Sequence, residues 1–228
     1  MNMNLFRRGM IFVTFLGSCL GIALVVAALG TKFWIVARAR RVSNPEESDG
    51  RIHFGLFDGK KELNVAYGWR TYDVSVLELM RTDHEFLLYG LWVAAIACIA
   101  GALLFAGLSA IFAVINTATT PIGTVTGVPG LYLWNSLAMF FDMCAVSLWA
   151  VQFYQKLQHN VMSREDRDNM WSSANMAHYG YSFWLVVGAV VVHVINITAI
   201  YIGTHEAREK TTPQPVMEEK SNGAIMLY

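Results

Sequence analysis

The stretch at residues 130–154, GLYLWNSLAMFFDMCAVSLWAVQFY, decides the fold because it can form one helix that crosses a lipid bilayer. The hydrocarbon core of a bilayer requires about 20 helical residues, and this stretch is longer and mostly apolar. One carboxylate, Asp142, lies at its midpoint, where a charge is costly unless the side chain faces protein. Helical spacing places Asp142 on a stripe with Asn135, Ala138, Ala145 and Trp149. We therefore expect this stripe to face other helices of a bundle.

Four apolar blocks of this kind occur in the chain of 228 residues, of which 55% are hydrophobic. They lie at residues 10–29, 86–115, 130–154 and 182–202. Arg7 and Arg8 precede the first block, but its apolar run is longer than the roughly 7–15 residues of a signal peptide, so we interpret it as a retained helix. The blocks predict an all-α membrane protein, a single domain over residues 1–228 that contains a bundle of four transmembrane helices.

The polar segment at residues 36–85 is the only part large enough to fold outside the bilayer. It contains short β-like runs at residues 51–57, 64–69 and 71–76. Asp58-Gly59 is a turn signal between the first two runs, and residues 74–80 suit a short amphipathic helix equally well. We expect a small β-sheet that lies on the helix ends.

Charge alone does not decide which side of the membrane each segment faces, because positive residues flank both ends of the bundle. One end has Arg7, Arg8, Arg208 and Lys210, and the other has Arg38, Arg40, Arg41 and Lys156. Size favours an extracellular location for the loops at residues 36–85 and 155–181. Both termini are then cytoplasmic, and we expect a polar, disordered tail at residues 204–228. We also expect the chain up to residue 169 to extend the third span as a solvated helix.

Small residues on two of the predicted helices favour close contact between helices. On the first helix they are Thr14, Gly17 and Gly21, and on the second they are Gly90, Ala94, Ala97 and Gly101. Because glycine and alanine let two backbones approach each other, we expect both faces to lie inside the bundle.

Two ionisable residues, Asp142 and His193, each lie near the middle of an apolar block and should therefore reach a similar depth. We expect them to form a buried hydrogen-bonded group together with Asn135 and Asn196, since a histidine contact lowers the cost of burying the acid. One interpretation is a polar clasp between helices, worth about 1 kcal/mol. The other is a proton or ion pathway. The clasp is favoured because no third ionisable group is present to form a relay.

The composition excludes several classes of function. The net charge is zero and no basic cluster occurs, so nucleic acid is not expected as a partner. Cys19, Cys98 and Cys144 all lie inside apolar blocks, which leaves no loop cysteine for a disulfide or a zinc site. No nucleophile–base pair, metal cluster or phosphate loop is recognisable, and we therefore expect no enzyme activity, cofactor or metal.

A series of short motifs points to a family. In chain order they are Leu29-Gly30-Thr31, Trp34-Ile35, Gly55-Leu56-Phe57 with Gly59, Gly127 with Pro129-Gly130-Leu131-Tyr132, Trp134-Asn135, and Tyr179-Gly180-Tyr181-Ser182-Phe183-Trp184. Together these motifs resemble the clarins over nearly the whole chain, and the last motif is most similar to the third clarin subtype. The spacing from Trp34 to Phe57 is also similar to that of the wider claudin-like group, although this chain lacks the paired loop cysteines of that group.

The resemblance implies a claudin-like, left-handed four-helix bundle with cytoplasmic termini and an exterior sheet built mainly by the first loop. It also implies a plasma-membrane organiser that is associated, in this family, with sensory perception of sound. We expect a non-enzymatic scaffold that binds membrane proteins through its first loop. The alternative is an accessory subunit of a channel or transporter. The chain end, Met226-Leu227-Tyr228, fits the hydrophobic carboxyl-terminal motif that PDZ domains bind.

Overall fold

The computed structural model describes residues 5–65, 68–83, 86–119, 121 and 123–209. Its helices are α1 (Leu5–Gly30), α2 (Val76–Thr82), α3 (Tyr89–Ala118), α4 (Val128–Gln152), α5 (Arg164–Asp168) and α6 (Tyr181–Glu209). Its strands are β1 (Ile35–Arg41), β2 (Gly50–Phe54), β3 (Asp58–Val65), β4 (Gly68–Ser75), β5 (Trp171–Ser172) and β6 (Ala177–Tyr179). One π-helical turn, Phe153–Leu157, continues α4.

Four helices, α1, α3, α4 and α6, are long and apolar enough to cross a membrane by length and composition. The predicted set of four long apolar helices is thus confirmed, as is the presence of a small antiparallel sheet. Large apolar side chains on the outer faces of these helices are exposed, among them Leu104, Phe140 and Val191. Such outward apolar faces are what a lipid environment requires of a bundle.

The four long helices form a closed ring in which each packs against two neighbours. The contacts run from α1 to α3, from α3 to α4, from α4 to α6 and from α6 back to α1. The connection between α3 and α4 is fixed by Asn116, whose Nδ2 donates to the Thr126 carbonyl oxygen at 2.6 Å. The inner faces of all four helices therefore meet along the centre of the bundle.

The small-residue face predicted for the second span is confirmed only at Gly101, where a Cβ atom would lie 2.9 Å from the Phe141 ring of α4. Gly90 and Ala97 are exposed, and the buried face of α3 is a different stripe that includes Trp92, Ala95 and Ile99. Glycine and alanine occur all around this helix, so several stripes are small enough for close contact. Burial of the large Trp92 side chain against the sheet selects the stripe that is used, since Trp92 Nε1 donates to the Leu56 carbonyl oxygen at 2.8 Å.

All strands join one antiparallel sheet with the order β4-β3-β2-β1, and β5 and β6 both pair with β1. The first polar segment therefore builds most of the sheet, and the second polar segment completes it. Along β1, buried Ile35, Ala37 and Ala39 alternate with exposed residues. The buried side of the sheet packs on the ends of the long helices through Phe54, with a ring-centroid distance of 5.4 Å to Phe86.

Several predicted element boundaries are wrong. Residues 64–69 do not belong to one strand, because β3 ends at Val65 and the antiparallel strand β4 begins at Gly68. The predicted turn at Asp58-Gly59 is instead the start of β3. The solvated helix expected up to residue 169 is interrupted after the π-helical turn, where Val161 is buried and its N–H donates to Ser173 Oγ at 2.8 Å.

Candidate functional site

A cluster of polar side chains lies at the centre of the four-helix bundle, where the surroundings are otherwise apolar. All four long helices contribute, and every member is at most 1% exposed. The members are Ser18 on α1, Ser109 on α3, Asn135 and Asp142 on α4, and His193 and Asn196 on α6. The structure thus brings together the four residues proposed from the sequence and adds two serines to them.

Asn135 is the centre of the hydrogen-bond network. Its Nδ2 donates to Ser109 Oγ at 2.7 Å and to the Leu131 carbonyl oxygen at 2.9 Å. Its Oδ1 accepts from Asn196 Nδ2 at 3.0 Å and lies 3.2 Å from His193 Nδ1. Because Nδ2 faces a carbonyl oxygen, the orientation of the amide is fixed and Oδ1 must be the acceptor. His193 Nδ1–H therefore donates the hydrogen bond to Asn135 Oδ1, which corresponds to the tautomer with its proton on Nδ1.

The first helix closes this network through a serine. Ser18 Oγ lies 2.9 Å from Ser109 Oγ, and it accepts a hydrogen bond from Asn196 Nδ2 at 3.3 Å. One continuous network therefore links side chains from all four helices of the ring. Buried polar groups need such partners, because an unpaired polar group in an apolar environment costs a few kcal/mol.

Asp142 lies beside this network, and its contact with His193 is longer than a hydrogen bond. Asp142 Oδ2 and His193 Nε2 are 3.8 Å apart. Within the described part of the chain, neither carboxylate oxygen of Asp142 has a hydrogen-bond partner, and neither does His193 Nε2. Since Nδ1 of His193 already holds a proton, a hydrogen bond between the two residues requires one further proton between them. Asp142 and His193 are therefore neighbours, but the hydrogen bond to the imidazole is made by Asn135 and not, as expected, by Asp142.

Two glycines on α1 make room for the cluster. A Cβ atom at Gly17 would overlap Asn196 Oδ1, and one at Gly21 would lie 3.3 Å from His193 Nε2. Glycine at both positions lets α1 lie against the polar face of α6, which is the close approach that the spacing predicted. Ser18 lies on the same side of α1, so its neighbouring glycines were the one sequence signal that could have identified it.

The buried polar stripe of α4 continues toward the sheet. Trp149 and Gln152 are 0% and 1% exposed, and their side-chain nitrogen and oxygen atoms have no hydrogen-bond partner in the described residues. Trp149 packs edge-on against Trp34, with ring centroids 5.1 Å apart. No group of three histidine, cysteine or acidic side chains that could hold a metal ion is found in the described residues.

Most residues of the short motifs that resemble the clarins, here called the family signature, join the sheet to the helix ends. Trp34 is buried, and its Nε1 donates to the Ala28 carbonyl oxygen at 2.7 Å. A Cβ atom at Gly55 would overlap the Thr31 carbonyl oxygen, and Thr31 Oγ1 lies 2.7 Å from Ser182 Oγ. These contacts connect the end of α1 to the sheet and to the start of α6. The remaining signature residues at this joint are Leu56, Phe57, Gly59, Tyr181, Phe183 and Trp184.

The signature at the other end of the bundle holds the start of α4. A Cβ atom at Gly130 would overlap the Val125 carbonyl oxygen, and Trp134 stacks on Phe105 and Phe112 of α3, each with a centroid distance of 6.0 Å. These residues therefore have packing roles. The tail positions Met226 and Tyr228 lie outside the described residues.

Comparison with known proteins gives a consistent set of matches. A family model described as Clarin-2-like matches residues 6–200. Clarin-3 of Homo sapiens is 25% identical over 201 residues, which cover 85% of this chain and 86% of that protein. Clarin-3 of Rattus norvegicus is 28% identical over 182 residues, covering 77% of this chain and 76% of that protein. Clarin-2 of Mus musculus is 25% identical over 190 residues, covering 78% of this chain and 80% of that protein.

Proposed function

Because this chain belongs to the clarin family, we propose that it is a non-enzymatic plasma-membrane protein that organises membrane or junctional partners through its sheet. The observation that carries the proposal is the architecture itself: a sheet with an exposed, charged outer face is held firmly on a bundle of apolar helices. A surface that is fixed relative to the membrane is suited to gathering other membrane proteins. As a clarin, it would serve sensory perception of sound.

The outer face of the sheet supplies the binding surface in this proposal. Arg38, Arg51 and Lys60 are exposed there, and Arg51 lies over the Trp69 ring at 5.4 Å from its centroid. Exposed arginine and tryptophan side chains are enriched among the residues that contribute most to protein interfaces. The first loop, at residues 36–85, therefore carries most of the partner-binding surface.

We place the sheet outside the cell and both termini in the cytoplasm, in a claudin-like arrangement. Residues 36–85 and 155–181 supply the strands of one sheet, so both must lie on the same side of the membrane. Four spanning helices bring the end of the chain back to the side on which it began. The Met226–Tyr228 motif would then face cytoplasmic PDZ domains, in agreement with the scaffold role.

The central cluster is proposed to be a clasp that sets the helix arrangement. The network through Asn135 supports this role, because it joins four helices with bonds that an apolar environment protects from water. The unbonded Asp142 carboxylate beside His193 favours a second candidate, a proton or ion pathway. Membrane current that disappears in Asp142→Asn would select the second candidate, whereas wild-type protein that conducts nothing in lipid would exclude it.

Arg51→Glu tests the organising role directly. Proximity labelling in native membranes should recover neighbouring membrane proteins with the wild-type chain and far fewer with this variant, because the charge at residue 51 is reversed and its contact with Trp69 is lost. Arg164→Glu, an exposed change of the same kind outside the sheet, is the matched control and should keep them. Equal recovery by all three chains at equal surface levels would contradict the proposal. A channel subunit among the recovered proteins would favour the accessory-subunit alternative.

A further inference from the structure

One edge of the sheet is a long strand whose outer side pairs with no other strand among the described residues. Strand β4 forms one edge and pairs only with β3, through eight residue pairs from Asp58↔Ser75 to Val65↔Gly68. Every residue of β4 is exposed except Val74, which is partly buried. Two large aromatic side chains lie on this edge, Trp69 with 50% and Tyr72 with 42% of their surface exposed.

The direction of the free backbone groups follows from one hydrogen bond. The Val76 N–H donates to the Phe57 carbonyl oxygen at 2.8 Å, in register with the pairing of β3 and β4. Bonded and non-bonded pairs alternate along an antiparallel ladder, so the even-numbered residues of β4 bond to β3. The N–H and C=O groups of Trp69, Thr71 and Asp73 therefore point away from the sheet.

This edge lacks most of the features that keep an edge strand unpaired, the exception being the charged side chain of Arg70 on the face of buried Leu63. Proteins protect such strands with proline, lysine, a β-bulge or a covering segment. The sequence GWRTYDVS contains no proline or lysine, its pairing with β3 is continuous, and its one arginine and one aspartate cancel in charge. A long, regular and neutral edge with exposed aromatic residues is suited to pairing with another strand.

We propose that β4 pairs in antiparallel register with β4 of a second copy of this chain, with the two Thr71 residues opposite each other. This inference rests on the proposed function, since it names a second copy as one partner of the same sheet. The free groups lie on odd-numbered residues, so a symmetric pair must be centred on one residue of the strand. The centre at Thr71 aligns residues 68–74 of both copies and leaves Ser75 free to cap α2, where its Oγ accepts from the Glu78 N–H.

The side chains fit this register in both copies at once. Arg70 of each copy lies opposite Tyr72 of the other, which allows two cation–π contacts related by the two-fold axis. Trp69 of each copy lies opposite Asp73 of the other. A two-fold axis repeats every contact, so one strand that is complementary to itself is sufficient for a closed pair. This symmetry is why the edge favours a second copy over an unrelated strand.

Thr71→Cys in the full-length chain tests the register. Residues opposite each other in a bonded pair are about 5.5 Å apart at Cα, within the range that a disulfide spans. Mild oxidation in native membranes should therefore link two copies of this variant. Glu62→Cys is the matched control, because Glu62 is the β3 partner of Thr71 and lies one strand further from the axis. It should give no more dimer than the parent chain, whose cysteines are in helices.

Expressing two different cysteine variants together tests the register further. Trp69→Cys should not link to itself, but it should link to Asp73→Cys when the two variants are expressed together.

Thr71→Pro removes an outward N–H without affecting a bond to β3, and it should abolish recovery of one tagged copy with another at unchanged surface level. Crosslinking at Glu62→Cys equal to that at Thr71→Cys, or full recovery with Thr71→Pro, would overturn the proposal. If Thr71→Pro still recovers the other membrane proteins, self-pairing and the organising role are separate. If wild-type copies pair but recover no other protein, the organising role fails alone.

Discussion

Asn135 holds the polar cluster together because its side-chain amide bonds to α3 and to two residues of α6. Its amide oxygen accepts from Asn196 and its amide nitrogen donates to Ser109. Asp142, by contrast, makes no hydrogen bond within the described residues. The most costly residue to bury is therefore not the residue on which the network depends.

Substitution should separate these two roles. Asn135→Ala removes the hydrogen-bond partner of His193 Nδ1 and one partner each of Asn196 and Ser109, and should destabilise the folded protein by about 1–3 kcal/mol. Asp142→Asn should cost less than about 1 kcal/mol or stabilise, because its amide can donate to the free His193 Nε2. The free energy of unfolding in detergent, measured by heat or denaturant unfolding, gives both effects. Thr198→Ala is the control, since Thr198 is exposed on α6 and bonds only to its own helix at Val194. A larger loss with Asp142→Asn than with Asn135→Ala would contradict this ranking.

The sequence identified Asp142 and His193 because ionisable groups in an apolar block are conspicuous. It did not identify Ser18 and Ser109, since serine occurs often in membrane helices and bonds to its own backbone there. The central position of Asn135 also could not be predicted. Its importance depends on which helices lie beside α4, and that information is absent from the spacing of one helix.

At the scale of elements, the contact between α1 and α6 depends on glycine at two positions of α1. The prediction of a small face there agrees with the structure, whereas on α3 the predicted face is in close contact only at Gly101. The difference is physical: Gly17 and Gly21 face the side chains of Asn196 and His193, while the many small residues of α3 are distributed around the whole helix.

Gly17→Ala should destabilise the bundle by about 1–3 kcal/mol, because the added Cβ overlaps the Asn196 side chain and displaces it from its partners. Gly107→Ala on α3 is the matched control, since no heavy atom of the described residues lies within 4 Å of a Cβ built there. It should be neutral or stabilise by up to about 1 kcal/mol through helix propensity. Thermal unfolding of both variants gives the comparison, and equal midpoints would show that close approach at Gly17 is unimportant.

The sheet shows where sequence patterns were informative and where they were not. A small sheet in the first loop was predicted, but β1 was missed because its exposed positions carry Arg38 and Arg40 and the segment looked like a charged loop. The alternation of arginine with Ala37 and Ala39 was the signal for a strand with one buried face. Similarly, the charged residues Lys60 and Glu62 concealed β3.

At the scale of the whole molecule, the chain is a four-helix bundle with a sheet on one end. The long apolar blocks predicted the helices, and motifs spread along the chain predicted the clarin family, which the family match confirms. The ring order of the helices could not be predicted, because every long helix has an apolar outer face and the spacing within one helix does not specify its neighbours. Nor could the pairing of β1 with β5 and β6, whose paired residues are at least 130 positions away in the chain.

The proposed function depends on the side of the membrane that the sheet faces, because a surface that gathers junctional partners must be extracellular. Glu46→Asn measures this directly, since it creates an Asn-Glu-Ser acceptor for N-glycosylation in the exposed loop between β1 and β2. We expect a shift in electrophoretic mobility that an N-glycosidase reverses, and no shift for the control Glu46→Gln. An unglycosylated Glu46→Asn chain that reaches the cell surface, together with glycosylation of an acceptor site added at the amino terminus, would place the sheet in the cytoplasm and contradict the account.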